Sequence, residues 1–341
     1  MIGQINQLAE NHIPFLLIVD FEMNRPLLYR VDELPDTIYF STPAFSTPGP
    51  LPDSNPGPLP GSNPGPLPGS NPDSNSGRSG KINLLAEPFP YNSYRSAFNM
   101  VRENALAGKT YLCNLTFPSR ISCDLSLKEI YLMSQARYKL LMEDRFVVFS
   151  PETFVQIRDG VIRSFPMKGT IDASIPDAKE ILLNDEKEMA EHVTIVDLIR
   201  NDLSMNASRV RVEKYRYVDT LVTSHKNLLQ VSSVVAGDLP EDWRSNLGNI
   251  IFSMLPAGSV SGAPKPETLR IIKEAEGSER GYYTGIMGYF DGHGFDSGVL
   301  IRYIEKENGE LIYRSGGGIT FMSDPEKEYQ ELIDKVYVPV T

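Results

Sequence analysis

The sequence predicts a mixed α+β fold, and three observations carry that prediction. Strand-like and helix-like runs alternate from residue 81 onward. The late strand-like runs "YYTGIMGYFD" and "GVLIRYIEKENGELIYRSGGGITF" follow one another with no helix between them. No Gly-x-Gly-x-x-Gly follows a strand, and no Gly-x-x-x-x-Gly-Lys-Ser/Thr occurs, so a doubly wound nucleotide-binding sheet lacks its usual support.

Taken in order, residues 1–42 contain "FLLIVDFEMNRPLLYR", which reads as a hairpin and is assigned to N-terminal strands of the same domain. Residues 43–80 break the texture. "GPLPDSNP", "GPLPGSNP" and "GPLPGSNP" repeat an eight-residue unit from Gly49 to Pro72. Prolines flank each leucine and Asn-Pro closes each unit, so neither helix nor strand ladder runs through it. One leucine per unit buries too little to offset chain ordering, which predicts a disordered, solvated insertion in a loop between strands. Residues 81–341 form the body. "YRSAFNMVRENALAG" and "SLKEIYLMSQARYKLLM" have helical spacing, while "RFVVFS", "TFVQIRDGVIRSF" and "NLLQVSSVVAGDL" read as strands.

Bulk properties exclude several functions. A chain of 341 residues, 41% hydrophobic, is long enough for a large core. A net charge of −11 with no Lys/Arg run argues against nucleic acid and membrane surfaces as partners. Two cysteines without a Cys-x-x-Cys pair argue against a disulfide framework or structural zinc. "IPFLLIVDF" is too short to span a bilayer and lacks a basic start, so a cytoplasmic location is expected.

The chemistry centres on "SFPMKGT", where Lys168 stands between Pro166-Met167 and Gly169-Thr170. Proline fixes the backbone and glycine lets it pass close to a ligand. Two stretches with helical spacing carry paired carboxylates. Glu188 and Glu191 lie three apart in "DEKEMAEHVTIVDLIRNDLS", with apolar spacing at Val193, Val196, Ile199 and Leu203. Glu328 and Glu331 repeat the spacing in "SDPEKEYQELIDKVYV", with Asp324 as cap, Pro325 at the first position and Lys335 a turn further on. If the pairs meet, four oxygen donors without a soft ligand suit a hard cation, Mg²⁺ before Ca²⁺. "LPAGSVSGAPK" and "RSGGGIT" are turn-like stretches whose backbone N–H groups suit carboxylate oxygens, with Arg302 as a bidentate partner.

Five motifs in order over residues 150–341, "PMKGT", "DLIRNDL", "LPAGSVSGAPK", "YYTGIMGYF" and "SGGGITFMSDPEKEYQELIDK", resemble the chorismate-utilising enzymes. That family includes anthranilate synthase and aminodeoxychorismate synthase components I and the isochorismate and salicylate synthases. The resemblance implies a four-layer αββα domain, with two packed, mainly antiparallel sheets and Mg²⁺-bound chorismate between them. Pro-x-Lys-Gly-Thr resembles the aminodeoxychorismate branch, whereas anthranilate synthases carry alanine at the lysine position. Lys168 is then the nucleophile toward ring carbon C2, which requires burial or a nearby cation to lower its pKa. Glu152 in "SPETF" resembles the family's general acid. Glu191 and Glu331 fall where the family binds Mg²⁺, with Glu188 and Glu328 as outer or water-mediated partners. Arg302, Tyr289, Lys335, Thr170 beside Gly169, Ser259 and the backbone at Gly316 and Gly318 fall where it holds substrate carboxylates.

Departures matter too. Gln230 stands where many relatives have histidine, and His225 lies five residues earlier. Leu112 stands where water-adding members carry lysine, which argues against isochorismate or salicylate synthesis. The short N-terminus argues against the tryptophan-binding subdomain of longer relatives. Neither "YLCNL" nor "ISCDL" has the Gly-rich elbow of a glutaminase, so ammonia is expected from a separate glutamine amidotransferase subunit. The implied product is 4-amino-4-deoxychorismate, on the way to para-aminobenzoate and folate. The alternatives are anthranilate synthase component I, or an inactive relative that recruits partners.

Overall fold

A computed structural model describes residues 1–50, 84–222 and 227–339. Most of the octapeptide repeat, and His225, lie outside the described residues. The chain opens with α1 (Ile2–Glu10), β1 (Phe15–Val19), β2 (Leu27–Arg30) and β3 (Ile38–Ser41). Next come β4 (Leu84–Glu87), α2 (Tyr91–Leu106), β5 (Leu112–Cys123), α3 (Leu127–Met133), β6 (Tyr138–Met142) and β7 (Phe146–Ser150). The middle holds β8 (Thr153–Arg158), β9 (Val161–Ser164), β10 (Met167–Asp172), α4 (Ala178–Asn184), α5 (Glu186–Ser204), β11 (Ser208–Val222) and β12 (Asn227–Asp238). After α6 (Leu247–Ser253), α7 (Gly258–Ser261), β13 (Gly262–Ala263) and α8 (Lys265–Glu276) come β14 (Ile286–Phe290) and β15 (Phe295–Val299). The last elements are β16 (Tyr303–Glu307), β17 (Glu310–Ile319) and α9 (Pro325–Asp334).

Among the described residues the strands form two sheets. The first runs β10-β12-β9-β8-β15-β14-β1-β2, with β11 also on β12; the second runs β13-β5-β17-β16-β7-β6-β3, with β4 on β5. Every described pairing is antiparallel. The N-terminal segment feeds both sheets, β1 beside β14 and β3 beside β6.

The continuous apolar run of β1 explains the layering. Phe15, Leu17 and Val19 pack with Ile5 and Ala9 of α1 and Ile250 and Ile251 of α6. Leu16 and Ile18, on the opposite face, meet Phe40, Leu140 and Val148 of the second sheet. A strand buried on both faces has no need of polar alternation. β7 repeats the pattern: Phe146 and Val148 face the first sheet, while Val147 and Phe149 face Leu127 and Ile130 of α3. Helices therefore cover the outer face of each sheet, and the α+β expectation with its αββα layering holds.

Two local readings differ from the sequence. "SLKEIYLMSQARYKLLM" is not one helix. A capping box at Ser126 and Glu129 starts α3, which stops at Met133. Leu140 and Met142 then face the space between the sheets and Leu141 the opposite face, a period of two. A short apolar run fits either period, and burial on both faces decides for the strand. On α5, Ile195 joins Val196, Ile199 and Leu203 in the core, while Val193 is exposed.

Candidate active site

The site is built where the chain crosses between the sheets. Glu152 lies in the step from β7 to β8, and Arg302 in the step from β15 to β16. The steps are tied side by side, with Phe149 N donating to Arg302 O at 3.1 Å and Val299 N to Glu152 O at 3.0 Å. Ser259, on the one-turn α7, donates to Glu152 Oε1. Glycine at 258 permits this approach, because a β-carbon there would stand 2.8 Å from Leu198 of α5. Lys265 secures the same loop, donating to Asp202 of α5 and to Met254 O, both at 2.7 Å. Burial pushes the Glu152 carboxyl above its usual range against the opposing pull of Ser259, Lys168, Lys335 and Arg302. A carboxyl whose pKa is raised suits the part of a general acid.

Lys168 enters from β10. Opposite β12, Lys168 pairs with Val231 and Thr170 with Gln230, so Gly169 is an extra residue, with φ of 73°. Such a bulge re-aims the side chains flanking it. A β-carbon at Gly169 would also stand 3.2 Å from Glu188 Oε2. Lys168 Nζ lies 2.6 Å from Glu191 Oε2, whereas Thr170 is exposed. The tandem glycines of β17 complete the floor. A β-carbon at Gly318 would lie 3.3 Å from Lys168 Nζ and 3.0 Å from Leu112, and one at Gly317 would lie 3.6 Å from Glu328 Oε2 and 3.8 Å from Glu331 Oε1. Bare backbone is what lets groups from both sheets and two helices converge.

The two glutamate pairs do meet. Asp185 caps α5, accepting from Glu188 N at 2.9 Å, and Asp324 caps α9, accepting from Lys327 N at 3.0 Å. These caps fix the first turns, which carry Glu188 and Glu328, with Glu191 and Glu331 one turn on. Glu191 and Glu328 are buried, each 4% exposed. Lys187, which spacing alone did not single out, joins the helices: its Nζ lies 2.8 Å from Glu328 Oε1 and 3.7 Å from Glu191 Oε1. Lys335 lies 2.7 Å from Glu331 and donates to Gly316 O at 2.8 Å. Among the described residues no three carboxylate, histidine or cysteine groups close on one point as a metal shell; lysines reach these oxygens instead. Yet Glu188 Oε2 and Glu191 Oε1 are buried without a hydrogen bond. Oxygens in that condition, in an all-oxygen donor set, fit a hard cation that keeps waters.

Three expectations need correction. Lys168 is not held as a free amine here. Burial pulls its pKa down, but Glu191, Glu188 and Glu331 outweigh burial and raise it. Tyr289 is not among the site groups; it packs with Phe45 at 4.8 Å and Phe40 at 5.6 Å between the sheets. Of the three tyrosines in that strand-like stretch, Tyr283 is the one near Arg302, which also neighbours Tyr313 and Tyr337. It is buried, and burial raises its phenol against the pull of Arg280 and Arg302. Two adjacent tyrosines before Thr284-Gly285 were the available signal, but only the fold tells which faces the arginine. Thr170 is turned to the exposed side of the bulge. His192 also went unnoticed: buried next to Glu191, its Nε2 lies 2.7 Å from Ser233 Oγ. Arg302 donates to Lys335 O at 3.3 Å and stacks on Tyr337, centroid 4.7 Å away. It joins the last turn of α9 to the crossover.

Comparison with known proteins gives the family. The sequence pattern of the family described as chorismate binding enzyme matches residues 69–341. An uncharacterized PabA-like protein of Haemophilus influenzae is 43% identical over 99% of this chain and 96% of its own length. Aminodeoxychorismate synthase component 1 of Bacillus subtilis is 29% identical over 74% of this chain and 56% of its own. The anthranilate synthase component I structure from Streptococcus pneumoniae superposes with a TM-score of 0.59 and 27% identity, covering 74% of this chain and 58% of that one. Among the described residues no helix is long and apolar enough to cross a membrane.

Proposed function

The chain belongs to the chorismate-binding enzymes, and from that premise we propose that it is an aminodeoxychorismate synthase component I. It would convert chorismate and ammonia, delivered by a separate glutamine amidotransferase, into 4-amino-4-deoxychorismate and water. The observation that carries this reading is Lys168, an amine 2.6 Å from Glu191 and facing the bare backbone of Gly318. By sequence resemblance the anthranilate branch has alanine there.

In this mechanism Nζ of Lys168, deprotonated, bonds to C2 of the ring. The ring double bonds shift and the C4–oxygen bond breaks. Glu152, whose carboxyl burial pushes above its usual range, gives its proton to the departing hydroxyl, which leaves as water. Ammonia bonds to C4, the double bonds shift back, and the C2–Nζ bond breaks, regenerating Lys168. The proton shed by the incoming nitrogen returns to Glu152. Arg302, Lys335 and the Gly316–Gly318 backbone would take the substrate carboxylates. Mg²⁺ bound by Glu188, Glu191, Glu328 and Glu331 would neutralise the charge that now keeps Lys168 an ammonium and would attract a substrate carboxylate. Leu112, against Gly318, has no group to activate water.

The test is to incubate the purified chain with chorismate, Mg²⁺ and ammonium salt. Aminodeoxychorismate without pyruvate supports the proposal, and anthranilate with pyruvate overturns it. Lys168→Ala should lower turnover by about 10³-fold or more, the scale of a lost catalytic group, while chorismate still binds by calorimetry. Unchanged turnover removes the nucleophile.

A further inference from the structure

Lys187 is the charged residue of the site that the proposed chemistry does not use. It lies in the first turn of α5, where a helix N-terminus disfavours a cation. Its ammonium nevertheless reaches across to α9, 2.8 Å from Glu328 Oε1, while staying 3.7 Å from Glu191 Oε1. Both carboxylates are almost wholly buried, and Glu191 Oε1 has no hydrogen bond. The Lys187 side chain is 36% exposed, so its stem starts at the rim and its head points inward.

We infer that Lys187 is a resident counter-cation: it occupies the place of the divalent ion, clamps α5 to α9 while that ion is absent, and withdraws to the rim when it binds. This rests on the reading that the four glutamates take Mg²⁺. A divalent ion and an ammonium repel each other at shared oxygens, so one must leave. The other two lysines are placed differently. Lys168 faces the opposite oxygen of Glu191, on the Gly318 side, and Lys335, which caps α9, is tied to Glu331 one turn earlier and to Gly316 O of β17. Lys187 alone among these three links the two glutamate helices, and it has the most exposed stem. Metal binding is then an exchange of cations, and the lysine lowers the apparent affinity while protecting the empty site from the mutual repulsion of its carboxylates. Lys187 is a positioning residue in this account and touches no reacting atom.

The test uses the full chain, with Lys187→Met as a variant of similar length without charge. Calorimetric titration with MgCl₂ should give binding about tenfold tighter in the variant. Melting in EDTA should occur lower by about 2–4 °C, and saturating Mg²⁺ should close that gap. Adding Glu328→Gln to Lys187→Met removes the charge that Lys187 neutralises and should restore the melting temperature in EDTA. A merely structural lysine would not tighten Mg²⁺ when removed, so equal or weaker affinity overturns the exchange while leaving the metal reading intact. Absence of Mg²⁺ binding in both proteins overturns the metal reading and the exchange with it.

Discussion

The ion cluster at Arg280 is buried throughout and the one at Lys168 only in part, and both set long cations against glutamates. They differ in how completely their polar groups are paired. Arg280 donates all five guanidinium hydrogens: two bonds to Glu276, and one each to Val260 O, Asn114 O and Thr284. Glu276 Oε1 also accepts from Thr116 N and its hydroxyl. The guanidinium lies 4.4 Å from the centre of the Phe21 ring. Around Lys168, by contrast, Glu188 Oε2 and Glu191 Oε1 are buried without a hydrogen bond. A closed network specifies one packing, whereas an open one keeps unspent electrostatic energy for a ligand. The first joins α8, β5 and the loop before β14, and so holds Tyr283 in place. The second awaits positive charge.

The largest expected effect falls on the closed cluster. Arg280→Met leaves Glu276 charged, buried and short of its main partner, which should cost about 3–5 kcal/mol in urea unfolding. Neither Mg²⁺ nor chorismate should recover that loss, since neither reaches the cluster. Recovery by either would erase the distinction drawn between the two.

Legibility in the sequence follows the same division between local and global causes. The helices bearing the glutamates were readable because their signals are local: a cap at Asp324, a proline at 325, and apolar spacing along one face. That the pairs meet was not readable. It depends on β17 lying beside β5 with Gly317 bare toward α9 and Gly318 bare toward Lys168, and on β10 bringing Lys168 from the other sheet. The Gly169 bulge explains the split fate of Lys168 and Thr170, which simple alternation would have put on one face. Tyr289 was misplaced for a related reason. Three tyrosines lie within one strand-like stretch, and only the crossover at Arg302 selects Tyr283. The paired state of Lys168 was also out of reach, because it follows from three carboxylates contributed by two other elements.

A middle-sized effect sharpens the comparison at the boundary of the open cluster. His192 is buried, with Nδ1 unpaired, and burial followed by Arg216 and Lys168 lowers its pKa from 6.5 to about 4. Its folded form therefore stays neutral while the unfolded chain takes up a proton. The stability this provides is full above 6.5 and is lost as pH falls toward about 4. The loss should amount to about 2–3 kcal/mol. His192→Gln, which can keep the bond to Ser233, should flatten that part of the pH–stability curve. An identical curve for both proteins would mean that the imidazole is hydrated in solution.

The smallest effect should have the opposite sign, and it distinguishes an open cluster most directly. Glu188 has a buried oxygen without a partner, and burial raises its pKa above 4.5 despite the pull of Lys168. Because the folded state holds that proton more tightly than the unfolded one, ionisation works against folding. The penalty is absent below 4.5 and grows as pH rises through the folded value. Glu188→Gln carries no charge, so in EDTA at neutral pH it should be more stable than the parent, by about 1 kcal/mol. The advantage should vanish below pH 4.5, and it should invert when saturating Mg²⁺ is added, since the metal stabilises only a protein that binds it. A destabilised Glu188→Gln in EDTA would mean that this carboxylate is already satisfied, and the contrast with Arg280 would fail at the residue where it is sharpest.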